Sequence, residues 1–277
     1  MKKGIMILAA VILMTLIGCD KMEGPYITDP QWGISTVEFP ELQPEDLYRR
    51  ILVEEYTGHR CANCPNGHEK LEELHQLFGD TLVIVGIHAG SLARTNDDYP
   101  YDFTTENGNT LFSDFGLNAI PRAFFNRTAK DIAVSEWIST VNSMDISRSY
   151  AAIQLINEYN ANKLTVNIKA TMLSEYGNPL QLAVYLIEDG IIKPQLNGST
   201  HIEEYEHKHV LRGSLNGTYG DPFPETGLME KDSAYTRAYS ISFEGRDWNA
   251  ANCSAVAILL DPDTQEVIQT RVAKIVE

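Results

Sequence analysis

The chain has 277 residues, of which 43% are hydrophobic and 22% are charged, so it is long and apolar enough to bury a sizeable core. Its 38 Asp and Glu residues outnumber its 22 Lys and Arg residues, and the formal net charge is −16 at pH 7. Because such a surface repels phosphate groups, the composition argues against nucleic acid and anionic membrane faces as partners.

The first residues are predicted to be a secretory signal. Lys2 and Lys3 precede an apolar run over 4–18, which is shorter than the roughly 20 residues of a typical membrane helix. Leu16-Ile17-Gly18-Cys19 resembles the bacterial lipobox, in which the cysteine is acylated before cleavage. We therefore predict a lipoprotein signal peptide over 1–18 and a membrane anchor on Cys19; the alternative is an uncleaved anchor with an incidental cysteine.

Two regions of different pattern follow the signal. Residues 19–46 contain recurrent prolines and no helical period, which predicts a tether. The next region alternates strands and helices, which predicts an α/β domain over 47–146. Its predicted elements, in chain order, are a strand over 51–57, a helix opened by Cys61–Pro65, a strand over 81–88, an insertion over 89–116, a proline turn that leads into a strand within 119–127, and an amphipathic helix over 134–144.

Strand-like runs dominate the rest of the chain. Residues 164–170 alternate apolar with polar side chains, as a half-buried antiparallel strand does, and Asp261-Pro262-Asp263-Thr264 is typical of a hairpin turn. We predict an all-β immunoglobulin-like sandwich over 148–277, with 191–231 as its long irregular loop. The predicted strands cover 150–158, 164–172, 180–187, 235–243, 254–260 and 266–275.

Cys61 and Cys64 are predicted to form a redox pair. Two cysteines separated by two residues, between a buried strand and the start of a helix, suit thiol-disulfide exchange. We expect an exposed Cys61 sulfur at the positive end of the helix dipole, with Cys61 as nucleophile and Cys64 as the resolving thiol. His59 and Arg60 would add positive charge that favours the thiolate.

This arrangement resembles the thioredoxin superfamily in its order of strand, Cys-x-x-Cys helix and proline before a later strand. The resemblance implies that Glu55 is the buried acid that accepts a proton from the resolving cysteine, although Glu54 competes for this role. It also implies that Pro121 is a cis-proline that helps to bind the substrate backbone. Arg60 and Pro65 depart from the thioredoxin pattern, which leaves the redox potential and the partner open.

A second resemblance covers more of the chain. The runs 54–65 and 206–217 look like the Bacteroidetes outer-membrane lipoproteins related to the twenty-eight-kilodalton outer membrane protein. This resemblance implies a lipid anchor, a thioredoxin-like domain, a β-rich C-terminal domain and an outer-membrane location. It implies no particular substrate.

Metal binding is the alternative for the cysteines and histidines. Zinc could be held by the Cys pair with His59 or His68, but the other thiols lie far away in sequence and Arg60 would crowd the ion. His201, His207 and His209 could also hold a metal, although packing or surface roles are commoner. We predict no metal and no cofactor, and we expect Cys253 to be a small buried hydrophobic residue.

Two functional hypotheses follow. In the first, the protein exchanges disulfides with exported proteins or envelope redox partners through Cys61, Cys64, Glu55 and Pro121. In the second, it is a non-catalytic surface or adhesion lipoprotein in which the disulfide is fixed and the β-domain is the binding module. Both hypotheses place the chain in the outer membrane of the cell envelope.

Overall fold

The computed structural model describes residues 31–276. The predicted signal peptide and the predicted lipid site at Cys19 lie outside the described residues. The α-helices of the described part are α1 (Cys64–Phe78), α2 (Glu106–Asp114) and α3 (Trp137–Ser143). The strands are β1 (Gln31–Gly33), β2 (Ile51–Thr57), β3 (Leu82–His88), β4 (Arg122–Phe125), β5 (Ala129–Ile132), β6 (Ala151–Asn160), β7 (Lys163–Met172), β8 (Gln181–Glu188), β9 (Ile191–Asn197), β10 (Thr200–His207), β11 (Val210–Ser214), β12 (Asp221–Pro222), β13 (Ala234–Ser242), β14 (Cys253–Leu260) and β15 (Val267–Lys274).

One nine-stranded mixed sheet organises the molecule. Its strand order is β15-β14-β8-β11-β3-β2-β4-β5, and β12 pairs with β8 at its side. Strands β2 and β3 are parallel, from Ile51 opposite Leu82 to Thr57 opposite His88. Strand β11 joins the two halves of the sheet, because it pairs in parallel with β3 and antiparallel with β8.

The remaining strands form two smaller sheets. Strands β1, β13, β7 and β6 make a four-stranded antiparallel sheet in that order. Strands β9 and β10 form a separate two-stranded hairpin, in which Asn197 pairs with Thr200 and Ile191 pairs with His207.

Three hydrophobic cores lie against the long sheet. One face of β2, β3 and β4 packs against Leu71 and Leu74 of α1 and Trp137 of α3. A second core covers the other face and continues from β2 across β11 to β14, so that it spans both halves of the chain. The third core fills the space between the long sheet and the four-stranded sheet.

The predicted fold class, an α/β thioredoxin-like domain followed by an all-β immunoglobulin-like sandwich, is wrong. The chain is mostly β-structure, and the strands assigned to the α/β domain belong to the same sheet as β8, β11, β14 and β15. The main-chain N–H of Gly86 in β3 donates to the carbonyl oxygen of His209, just before β11, at 2.7 Å. A pairing between segments so far apart in sequence leaves no local pattern, because only the ladder hydrogen bonds and the shared core define it.

Individual elements agree better with the sequence. The strand over 51–57, the second buried strand and the six later strand runs are present to within a few residues. The turn after β14 is confirmed, since the N–H groups of Asp263 and Thr264 both donate to Oδ1 of Asp261. The irregular loop predicted over 191–231 is wrong, because this segment contains β9, β10, β11 and β12.

Among the described residues, no helix combines the length and the apolar character that a membrane crossing requires.

Candidate functional site

Cys61 and Cys64 form a disulfide at the carboxyl end of β2. The chain leaves β2 at Thr57, turns through Gly58, and enters α1 at Cys64. The two Cα atoms are 5.4 Å apart, within the usual range for a disulfide. Cys61 is 2% exposed and Cys64 is 0% exposed, so the predicted exposed sulfur of Cys61 is wrong.

The β9–β10 hairpin covers this disulfide loop through hydrogen bonds. The N–H of Leu196 donates to the carbonyl oxygen of His59 at 2.8 Å, and the N–H of Gly198 donates to that of Ala62 at 2.8 Å. Between them, Nε2 of Gln195 donates to the carbonyl oxygen of Cys61 at 3.2 Å. The hairpin is therefore hydrogen-bonded to the loop at Cys61 and at residues on either side of it.

The opposite side of the loop packs against residues 92–93. The N–H of Arg60 donates to the carbonyl oxygen of Leu92 at 3.0 Å. Gly58 lies so close to the same carbonyl that an added Cβ would come within 2.7 Å of it. Only glycine fits at this position, and the loop is held between the hairpin and this segment.

The two neighbouring glutamates of β2 point to opposite faces of the sheet. Glu54 is fully buried and forms a bidentate ion pair with Arg127. Nη2 of Arg127 donates to Oε1 at 2.7 Å, and Nε donates to Oε2 at 2.9 Å. Glu55 lies on the α1 side, next to Gly67, and its Oε1 is 3.6 Å from Nε2 of His68. Burial raises the pKa of Glu55 to about 8, so its carboxyl group is mostly protonated at neutral pH.

Pro121 lies on the α1 side of the disulfide. Its preceding peptide bond is cis, and its Cβ is 3.3 Å from the position that a Cβ on Gly67 would take. The carbonyl oxygen of Ile120 lies 3.8 Å from Sγ of Cys61. The structure thus brings Glu55, Pro121 and the cysteine pair together around the start of α1, while their roles in any reaction stay a prediction.

A cluster of buried rings lies beside the disulfide loop, and sequence reasoning did not find it. Phe103 packs against His59, His88 and His207, with ring centroids 5.6, 4.5 and 4.4 Å away. Burial lowers the pKa of all three histidines, that of His207 to about 3. His59 is therefore not the cation that we expected beside Cys61.

The position of His88 follows from the pairing of strands β2 and β3. His88 ends β3 directly opposite Thr57, the last residue of β2. Because the carboxyl ends of parallel strands lie at one edge of a sheet, the sequence did contain a signal that His88 and the disulfide loop are neighbours. Phe103 and His207 carried no such signal.

The other candidate ligands are engaged elsewhere. His68 is within hydrogen-bonding distance of Thr57 and Tyr205, and His201 faces Glu203 on the hairpin surface. No group of three or more His, Cys, Asp or Glu side chains within 31–276 is arranged to hold a metal ion. Cys253 is buried in the core between the two larger sheets, and burial raises the pKa of its thiol to about 12, as expected for a small hydrophobic residue.

Comparison with known proteins decides the family. The family model described as "Outer membrane protein Omp28" matches residues 108–277, which is more than half of the chain. The chain belongs to the Omp28 family. Its predicted location in the outer membrane of the cell envelope is thereby confirmed, whereas the resemblance to the thioredoxin superfamily is not.

Solved structures also resemble this Omp28-family chain. HBP35 of Porphyromonas gingivalis is 14% identical, with a TM-score of 0.63 over 83% of this chain and 76% of that protein, which shows a shared fold. A domain of the outer membrane lipoprotein Omp28 from Porphyromonas gingivalis is 26% identical over 48% of this chain and 93% of the domain, with a TM-score of 0.32. No curated protein matches the sequence.

Proposed function

We propose that this Omp28-family chain is a non-catalytic binding protein of the outer membrane, in which the Cys61–Cys64 disulfide is a permanent structural bond. The observation that carries the proposal is the closure of the disulfide loop by the β9–β10 hairpin. Gln195, which donates to the carbonyl oxygen of Cys61, is itself fully buried.

Thiol-disulfide exchange requires that one sulfur atom of the disulfide be accessible. An attacking thiolate must reach one sulfur of the disulfide directly, and the mixed disulfide must then be resolved. Both cysteines are buried, and we infer that this attack requires the hairpin to leave the loop first. The loss of four hydrogen bonds, two from Gln195 and one each from the N–H groups of Leu196 and Gly198, opposes that movement.

The reduction potential tests this proposal. The full-length chain, purified in detergent, is equilibrated with glutathione buffers and alkylated, and its thiol content is measured by mass spectrometry. We expect the disulfide to stay oxidised until the buffer falls below about −300 mV, as structural disulfides do. A midpoint between about −120 and −270 mV, the span of exchange proteins, would contradict the proposal.

A trapping experiment provides an independent test. A Cys64→Ala variant in a Cys253→Ser background has Cys61 as its free thiol within the described residues. We expect no mixed disulfides when this variant is isolated from cells by non-reducing purification. The matched control adds Cys61→Ala, and partners that are captured before but not after this change would support exchange instead.

We also propose that lipid on Cys19 attaches the chain to the membrane. The apolar run over 4–18 and the lipobox-like sequence around Cys19 support this. Cells fed radiolabelled palmitate should label the natural chain and not a Cys19→Ser variant. Equal labelling of both chains would disprove the attachment.

A further inference from the structure

A partly enclosed pocket lies next to the disulfide loop but does not include it. Its volume is about 320 Å³, at the lower end of ligand sites, which span roughly 300–1,000 Å³. It lies between helix α1, the carboxyl ends of β2 and β3, the end of β10, and the segment that joins β10 to β11. The residues that matter for its chemistry are Glu55, His68, His88, Tyr205 and His207.

Buried polar atoms without partners line this pocket. Both ring nitrogens of His88 and Oε1 of Glu55 make no hydrogen bond, although these side chains are only 4% and 2% exposed. Buried polar groups in native proteins are almost always hydrogen-bonded, so these atoms mark the positions where a bound molecule would donate and accept.

The inner residues of the pocket, Glu55, His68, His88 and His207, are mostly uncharged at neutral pH. Burial raises the pKa of Glu55 to about 8 and lowers the pKa values of His68 and His207 to about 4 and 3. A neutral imidazole has one donor and one acceptor, and a protonated carboxyl group can also donate and accept. An ion would lose its hydration against these inner residues without meeting an opposite charge among them, which favours an uncharged guest.

The aromatic rings and the charged rim of the pocket further restrict the class of molecule that it can bind. The Tyr205 ring lies 5.7 Å from His68 and 5.0 Å from His207, and His207 lies 5.5 Å from His88, between centroids. The interplanar angles of these pairs are 47°, 64° and 60°, so the wall offers both ring faces and ring edges, against which an aromatic guest packs favourably. The rim carries three glutamates and one lysine, which disfavours anions; its members are Glu69, Glu72, Glu206 and Lys208.

We propose that this pocket binds an uncharged, planar heteroaromatic molecule of nucleobase size, through the unpartnered polar atoms of His88 and Glu55. The inference rests on the proposed function only in treating the chain as a binding protein. It is independent of the redox behaviour of the disulfide, because neither cysteine lines the pocket.

Calorimetric titration of the full-length chain in detergent tests the proposal with adenine and benzimidazole as probes. We expect both to bind and indene, the hydrocarbon of the same shape as benzimidazole, to bind about tenfold more weakly, since it cannot replace the missing hydrogen bonds. Adenosine monophosphate should not bind, because of its negative charge. A His88→Phe variant should lose about tenfold in benzimidazole affinity, whereas His201→Phe, on the exposed hairpin surface, should lose none.

A second measurement avoids variants that fold poorly. In the natural chain labelled with ¹⁵N-histidine, benzimidazole should shift the imidazole signals of His88 and leave those of His201 in place. Absence of binding by both probes, equal affinity for indene, or unchanged His88 signals would overturn the proposal. Mass spectrometry of the same samples shows whether the Cys61–Cys64 disulfide is intact. If the probes fail to bind while the disulfide is intact, only the inferred ligand is rejected. If the disulfide exchanges while the probes bind, only the proposed function is rejected.

Discussion

The side chain of Gln195 donates a hydrogen bond to the main-chain carbonyl oxygen of Cys61 across 134 positions of sequence. The same amide group also donates to the carbonyl oxygen of Leu196, its own neighbour on β9. One buried amide therefore connects the hairpin to the loop that carries the disulfide. Any movement of the hairpin away from the loop must break this contact.

Gln195→Leu should make the disulfide easier to reduce. The change keeps a side chain of similar size but removes the donor, so that opening the hairpin costs about 1 kcal/mol less and reduction by a phosphine becomes about five- to tenfold faster. Stopped reactions analysed by mass spectrometry measure the rate. Glu203→Gln, at an exposed position of β10, is the control and should not change it. An equal rate for Gln195→Leu would mean that the hairpin does not limit access.

The buried Glu54–Arg127 pair should contribute strongly to stability. Both side chains are fully buried, and Tyr185 also lies 3.3 Å from Nη2 of Arg127. Glu54→Gln leaves an uncompensated buried guanidinium and should lower the free energy of unfolding by about 3–5 kcal/mol in urea titrations. Asp131→Asn, which breaks the exposed Arg122–Asp131 pair, should lower it by less than about 1 kcal/mol. Similar losses in both variants would contradict this account.

Glu55 should make the folded chain less stable as pH rises. Its pKa is about 8 when folded and near 4.5 when unfolded, so the unfolded chain releases the proton first. The stability that the protonated carboxyl contributes is complete below pH 4.5 and is lost progressively up to about pH 8. Relative to Glu55→Gln, the natural chain should lose up to about 1.4 kcal/mol per pH unit in this interval.

Chemical denaturation at several pH values measures that difference. Glu69→Gln, at an exposed position of α1, provides the matched control. A constant difference between the natural chain and Glu55→Gln from pH 5 to 8 would show that Glu55 is ionised in the folded state.

The buried histidines should destabilise the fold in acid. The pKa of His207 is about 3 in the folded chain and near 6.5 when unfolded, so below pH 6.5 the unfolded chain binds the proton more readily. Stability is therefore lost as pH falls from 6.5 towards 3. The natural chain should lose up to about 1.4 kcal/mol per pH unit relative to His207→Phe.

The control for this experiment is His75→Phe, because His75 is exposed in the last turn of α1. If His207→Phe loses stability in acid as steeply as the natural chain does, the ring of His207 is not the group that takes up the proton.

The strand and the helix around the site could be predicted from the sequence because each depends on a short stretch of chain. The apolar residues at the start of 51–57 predict a strand, and the structure contains this strand with all seven of its residues buried. Pro65 near the start of α1 and Gly79 at its end are ordinary helix boundary residues. The hairpin over 191–207 was missed because polar and charged residues such as Lys193, Glu203 and Glu204 interrupt its apolar pattern.

The sequence alone determined the cysteine pair, its place between a buried strand and a helix, the later strands, and the family runs that pointed to the outer membrane. These features depend on residues close together in the chain. Only the tertiary structure decided that β11 joins both halves into one sheet, that Gln195 covers the disulfide loop, and that Glu54 and Glu55 face different cores. Each of these depends on contacts between segments distant in sequence, whose free energy comes from burial and from hydrogen bonds made only after the chain has folded.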